Sequence, residues 1–156
     1  MMPARAPAAA TADQSQLRTL EKTFTQAMNE KDVDAIMAVY APGESLLVFD
    51  VIGPPGVHFG WDEYRDAFER MFAAISGPLE FAMSDLDVAV SGDVGYGRSL
   101  QHVSGVHAKD GTRFAYTVRV TDVYRKIGGK WLIVQEHVSL PLDRDTFAPM
   151  LRWSFP

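Results

Sequence analysis

Residues Thr112 to Pro141 read as two long alternating strands joined at Gly128-Gly129, and no other stretch limits the fold as much. Successive side chains of a strand point to opposite faces, so residues of one parity must share one environment. After Thr112, one parity holds Phe114, Tyr116, Val118, Val120, Asp122 and Tyr124; the other holds Arg113, Ala115, Thr117, Arg119, Thr121 and Arg125. The first set is expected to face a core or cavity, and the second solvent or an interface. Asp122 is then a single acid in an apolar stripe, and a buried carboxyl needs a partner or a raised pKa. A pocket acid and an acid paired across the strand with an Arg or His both meet that demand.

On the final strand, Leu132, Val134, Glu136 and Val138 are assigned to the inner parity. Trp131, Ile133, Gln135, His137 and Ser139 fall to the outer one. An outer face carrying Trp131 and Ile133 predicts a cover, most simply a second copy: a homodimer through the outer sheet face.

The front of the chain is helical in pattern. Leu17, Leu20, Phe24, Ala27 and Met28 recur at helical spacing, with Asp13 and Ser15 as candidate caps. Asp32 opens a second helix bearing Val33, Ile36, Met37 and Tyr40, which Pro42-Gly43 ends. Leu46 to Asp50 reads as a short buried strand, and Ile52 to Phe59, with its Gly and Pro residues, as a loop. A third helix carries Tyr64, Phe68, Met71, Phe72 and Ile75, has Asp62 and Glu63 in its first turn, and stops at Ser76-Gly77-Pro78. Phe81 to Val90 and Val94 to His107 are further strands, the second bent by Gly95, Gly97 and Gly105. Lys109-Asp110-Gly111 turns into the strand that follows. Three helices and then an antiparallel meander predict an α+β fold: a curved antiparallel sheet wrapped around N-terminal helices, a cone with a central pocket. Three segments are expected: a disordered tail over 1–12, the cone domain over 13–142, and a C-terminal tail over 143–156. That last tail is apolar enough to dock on the body or on a second subunit.

Composition narrows the function classes. A net charge of −5 with scattered basic residues argues against nucleic acid, which calls for a clustered basic face. No apolar run approaches the ~20 residues of a membrane span. With no cysteine, disulfide and thiolate chemistry are excluded; the chain is compatible with a reducing cytoplasm, the location expected here. No phosphate loop, dinucleotide motif or tight His-x-x-x-His spacing occurs, so no metal and no cofactor are expected.

The run Thr121-Asp-Val-Tyr-Arg-Lys, then Gly129-Lys-Trp, then Glu136-His-Val-Ser and Pro141 resembles the SnoaL-like group of the nuclear transport factor 2-like superfamily. The front half resembles it too: Lys31-Asp-Val-Asp-Ala-Ile-Met-Ala-Val-Tyr-Ala-Pro, Val48-Phe-Asp50, and Gly60 before the third helix. The superfamily includes ketosteroid isomerase, scytalone dehydratase and the association domain of calcium/calmodulin-dependent protein kinase. The resemblance implies a cystatin-like cone. It also implies roles taken from the isomerase: Asp50 as general base, and Asp122 as the acid held neutral by an apolar site, a use for which that enzyme is the standing example. Where the isomerase has a Tyr on the first helix, this chain has Phe24, which cannot donate; Tyr40 keeps a phenol nearby.

Around these two acids, Phe24, Tyr40, His58, Gln101, Tyr116, Val120, Val134, Glu136 and Val138 are the candidate ligand-binding residues. Bland readings stand beside each. Asp50 before a turn is also an ordinary turn residue, Glu136 also a wall or salt-bridge residue, and His137 an interface residue. The resulting expectation is a protein that binds a small hydrophobic molecule, with proton-transfer isomerase or cyclase chemistry through Asp50 and Asp122. The alternative is a non-catalytic ligand-binding or oligomerisation module resembling the kinase association domain.

Overall fold

The computed structural model describes residues 11–53 and 55–153. Helix α1 (Ala12–Glu30) is capped by Thr11, whose hydroxyl accepts from the Gln14 amide while the Gln14 side chain accepts from the Thr11 amide. This capping box replaces the Asp13 or Ser15 cap expected from the sequence. Asp13 lies inside the first turn and binds Lys126 and the Trp131 indole instead. The expected tail over 1–12 falls almost entirely outside the described residues. Asp32 caps α2 (Val33–Met37), as its position suggested.

Six strands form one sheet in the order β2-β1-β6-β5-β4-β3. The last four, β3 (Ile75–Ser91), β4 (Val94–His107), β5 (Arg113–Ile127) and β6 (Lys130–Ser139), make the antiparallel meander. β1 (Leu47–Phe49) joins its far edge parallel to β6 and carries β2 (Val57–Phe59) antiparallel beyond it. The segment Ile52 to Phe59 is therefore not wholly loop: its last three residues are a strand. Helix α3 (Trp61–Ala73) follows at once. β3 then begins at Ile75 without a separate stop, and a register shift between Ser76 and Glu80 takes up Gly77 and Pro78. A proline has no N–H for the ladder, so a bulge is where a strand admits one.

The helices lie in the concave side of this sheet. Leu17, Phe24 and Met28 of α1, Ile36 and Met37 of α2, and Phe68 of α3 are buried in a common core. Glycines let the sheet bend close to its own side chains. A Cβ at Gly97 would overlap the Tyr124 hydroxyl, and one at Gly105 would stand 2.9 Å from the Phe114 ring.

The parity assigned to β6 needs correction. Tyr124 pairs with Ile133, but Val123 pairs with Gln135, leaving Val134 unopposed. This bulge reverses the faces: Trp131 and Ile133 enter the core, at 4% and 1% exposure, while Glu136 also points inward. The two residues that suggested an apolar outer face are therefore part of this chain's own core.

Where β6 stops, the edge of β5 is taken up by the C-terminal segment. The Thr117 amide donates to the Leu151 carbonyl at 2.8 Å, and the Trp153 indole donates to the Thr117 carbonyl at 2.9 Å.

Candidate functional site

Between the helices and the concave face lies a cavity of about 730 Å³. That volume lies in the range of small-molecule sites. Its body is apolar, formed by residues such as Phe24, Met28, Phe68, Met71, Val103 and Val118. Phe24, at the place of the isomerase Tyr, meets Phe81 and Tyr40 edge-on, with ring centroids 5.6 and 6.2 Å away.

Polar groups gather at one end. Asp50 closes β1, and its Oδ1 accepts from the amides of Val51 and Ile52 at 2.6 and 3.3 Å. The turn behind it is tight: the Asp50 amide donates to Gly56, whose φ of +70° admits glycine and whose missing Cβ leaves room for the Asp50 carbonyl. The second carboxylate oxygen of Asp50 stands 3.5 Å from Nε2 of His58 on β2. Nδ1 of His58 stands 3.6 Å from Glu63 in the first turn of α3. The β1–β2 hairpin, missed as a strand pair in the sequence, is what brings His58 to Asp50.

Deeper in, Glu136 is 4% exposed and contributes to the cavity wall. The Tyr40 hydroxyl donates to its Oε2 at 2.8 Å and the Tyr64 hydroxyl to its Oε1 at 2.6 Å. Asp122, directly across the strand pair, shares a third hydrogen bond with it. Burial raises the Asp122 carboxyl well above the carboxylate range, and the charges of Glu136 and Glu21 add to this. Its Oδ1 has no hydrogen-bond partner among the described residues. Asp122 is thus the protonated member, donating to Glu136. Burial also raises Glu136, against the pull of its three donors. The phenols of Tyr40 and Tyr64 are pushed up by burial and by Glu136, so both remain donors at any ordinary pH.

A third carboxyl completes this network. Glu21 is 2% exposed and accepts a hydrogen bond from the Tyr124 hydroxyl. Burial pushes it up to about 7, with the Tyr124 bond opposing. It escaped the sequence reading, although its place four residues after Leu17 and three before Phe24 puts it within the buried stripe.

The expected site residues thus divide. Asp50, Phe24, His58, Gln101, Tyr116, Glu136 and Val138 line the cavity. Asp122, Tyr40, Val120 and Val134 do not: Asp122 and Tyr40 stand behind Glu136 and hold it, and Val134 is the bulge residue. Gln101 is 7% exposed, and neither its amide nor the Tyr116 hydroxyl has a hydrogen-bond partner among the described residues. Burial and Asp50 push the Tyr116 phenol up to about 12. No Lys or Arg forms an ion pair with Asp50, Asp122 or Glu136 among those residues. His137 is exposed and meets Phe49 edge-on, and His102 is tied to Ser84 and Thr117 on the outer face. Among the described residues no three His, Asp or Glu side chains converge as metal ligands, and no helix is long and apolar enough to cross a membrane.

Over residues 17–143 the chain matches the SnoaL-like domain, and it belongs to that family. Its structure is similar to that of an NTF2-like protein of unknown function from Pseudomonas putida KT2440. That pair shares 28% identity and a TM-score of 0.81 over 93% of this chain and 98% of the other. A ketosteroid isomerase-like protein from Erwinia carotovora atroseptica SCRI1043 is 17% identical, with a TM-score of 0.70 over 83% and 97%. A protein of unknown function with a cystatin-like fold from Nostoc punctiforme is 23% identical, with a TM-score of 0.65 over 82% and 91%. The last two likenesses concern the fold alone. No curated protein matches the sequence.

Proposed function

We propose that this protein binds a small hydrophobic carbonyl compound in its cavity and moves a proton on it without a cofactor. One observation carries the reading: two carboxyl groups, Asp50 and Glu136, face one largely apolar cavity with no Lys or Arg paired to either among the described residues. Asp50 is the base. Its Oδ1 is held by two backbone amides, which leaves Oδ2 directed at His58. It takes a proton from a carbon next to the substrate carbonyl and returns it to another carbon, so the substrate isomerises and the carboxylate is regenerated.

The negative charge that builds on the substrate oxygen needs donors that are already in place. Gln101 and Tyr116 supply them, because neither side chain has a hydrogen-bond partner to give up among the described residues. Asp122 serves as the acid indirectly: its proton reaches the cavity through Glu136, to which it is hydrogen-bonded. Tyr40 and Tyr64 fix the Glu136 carboxyl for that exchange.

The test uses 2-naphthol as an enolate mimic and 2-tetralone as a carbon acid. Binding of 2-naphthol is read by fluorescence, and exchange of the tetralone C1 protons in deuterium oxide by NMR. The protein should bind the first and accelerate the second. Asp50→Asn should keep 2-naphthol bound and lose roughly 10²-fold or more of the exchange rate. No binding and no acceleration by the unaltered protein would remove the reading.

A further inference from the structure

The cavity has a second end, and its chemistry is opposite to the first. Glu63 and Arg70 lie seven residues apart on α3, two turns along the same face, so about 10 Å separates them along the axis. Both line the cavity. Glu63 stands with His58 and Asp50 at the acidic end. Arg70 stands where the end of α3, the start of β3 and the end of β4 come together, beside Ala74, Ile75 and His107.

Arg70 is exposed, and it makes no ion pair or side-chain hydrogen bond among the described residues. Its neighbour on the same helix differs: Arg65 is held by Asp34 at 2.7 Å and by Glu69 at 3.3 Å. His107 packs against Phe114 with the rings tilted and their centroids 4.7 Å apart. Asp110, an acid close to His107, is already engaged by the amide and hydroxyl of Thr112. An unpaired guanidinium thus overhangs one end of an apolar cavity whose other end holds carboxyl groups.

Resting on the reading of Asp50 and Glu136 given above, we propose that the ligand is an amphipathic carboxylate, its reacting carbonyl beside Asp50 and its carboxylate at Arg70, with His107 flanking. Both ends enforce one orientation. A carboxylate placed at the acidic end would meet Asp50, Glu63 and Glu136, and like charges in a poorly solvated cavity repel strongly. At the other end it meets a guanidinium whose planar fork suits a carboxylate bidentately. The apolar body spans Phe68, Met71 and Phe114 between them.

The probes are 6-hydroxy-2-naphthoate, its methyl ester and 2-naphthol, titrated by fluorescence into the intact protein. The phenol takes the enolate position, and the carboxylate sits across the ring system from it. The free acid should bind roughly tenfold more tightly than the ester, a difference of about 1.4 kcal/mol, and added salt should shrink that ratio. Arg70→Gln should bring acid and ester to equal affinity; circular dichroism checks that this exposed substitution leaves the fold intact. Equal affinities in the unaltered protein, or a preference that survives Arg70→Gln, would overturn the proposal. If 2-naphthol still binds and Asp50→Asn still stops exchange in that case, the proton-transfer reading stands without it. If 2-naphthol itself fails to bind, both fall together.

Discussion

Replacing Glu21 with Gln should change how stability depends on pH, by an amount the structure fixes. Glu21 is buried on α1, bonded to Tyr124, and pushed from its ordinary 4.5 up to about 7, first by burial. Its folded pKa lies above its unfolded one, so between the two the folded chain binds more protons than the unfolded chain. Stability is then full below about pH 4.5 and falls as pH rises through about 7. The gap from 4.5 to about 7, at 1.36 kcal/mol per pH unit, comes to about 3 kcal/mol. An amide of the same shape keeps an acceptor for Tyr124 and cannot ionise. The variant therefore lacks this loss, whatever fixed offset its new N–H₂ group introduces.

Urea unfolding at pH 4.5, 6 and 8, followed by tryptophan fluorescence, measures it. The stability of Glu21→Gln minus that of the unaltered protein should grow by about 3 kcal/mol across that range. Asp122 and Glu136, also raised by burial, slope the same way and remain in both proteins, so the difference reads Glu21 together with its electrostatic coupling to these two acids. A difference that stays constant with pH would refute the reasoning, because it would mean that Glu21 keeps an ordinary proton affinity in the folded state.

Tyr40→Phe removes one of the donors to Glu136 and should cost about 2 kcal/mol at neutral pH, with a smaller loss in acid, where Glu136 takes up a proton. Unfolding curves at pH 5 and 7.5 check both the size and the sign. Gly97→Ala places a methyl group into the Tyr124 hydroxyl, and the buried bond to Glu21 would have to break. A loss of about 2–4 kcal/mol is expected, mostly regained in Gly97→Ala with Tyr124→Phe, and differential scanning calorimetry of the pair tests it. Leu17→Ala, at a fully buried position on α1, should cost about 2–5 kcal/mol in the same assay.

Much of the fold was legible because two periodicities write themselves into the chain. Phe114 through Tyr124 alternate, and every second residue does face the concave side, including Asp122. Leu17, Phe24 and Met28 recur at helical spacing and are buried. Gly97 and Gly105 marked places where the sheet comes close to its own side chains, and Gly95 one where Leu17 of α1 comes close to the sheet. Each of these signals is local: a strand turns its side chains every residue, a helix every hundred degrees, wherever it sits.

The site depended on facts with no local signature. A single extra residue at Val134 reversed the faces of β6, moving Trp131 and Ile133 into the core, and nothing in the run of residues marks a bulge there. Tyr40, Tyr64, Asp122 and Glu136 come from two loop or helix segments and two strands: β5 and β6 pair Asp122 with Glu136, a parallel bridge to Ile133 brings Tyr40 to β6, and α3 carries Tyr64 over the sheet. The sequence by itself determined which residues are acids and which elements carry them. Tertiary structure alone decided that Glu136 rather than Asp122 reaches the cavity, because a proton's location depends on burial and on neighbours distant in the chain, and neither exists before the chain has folded.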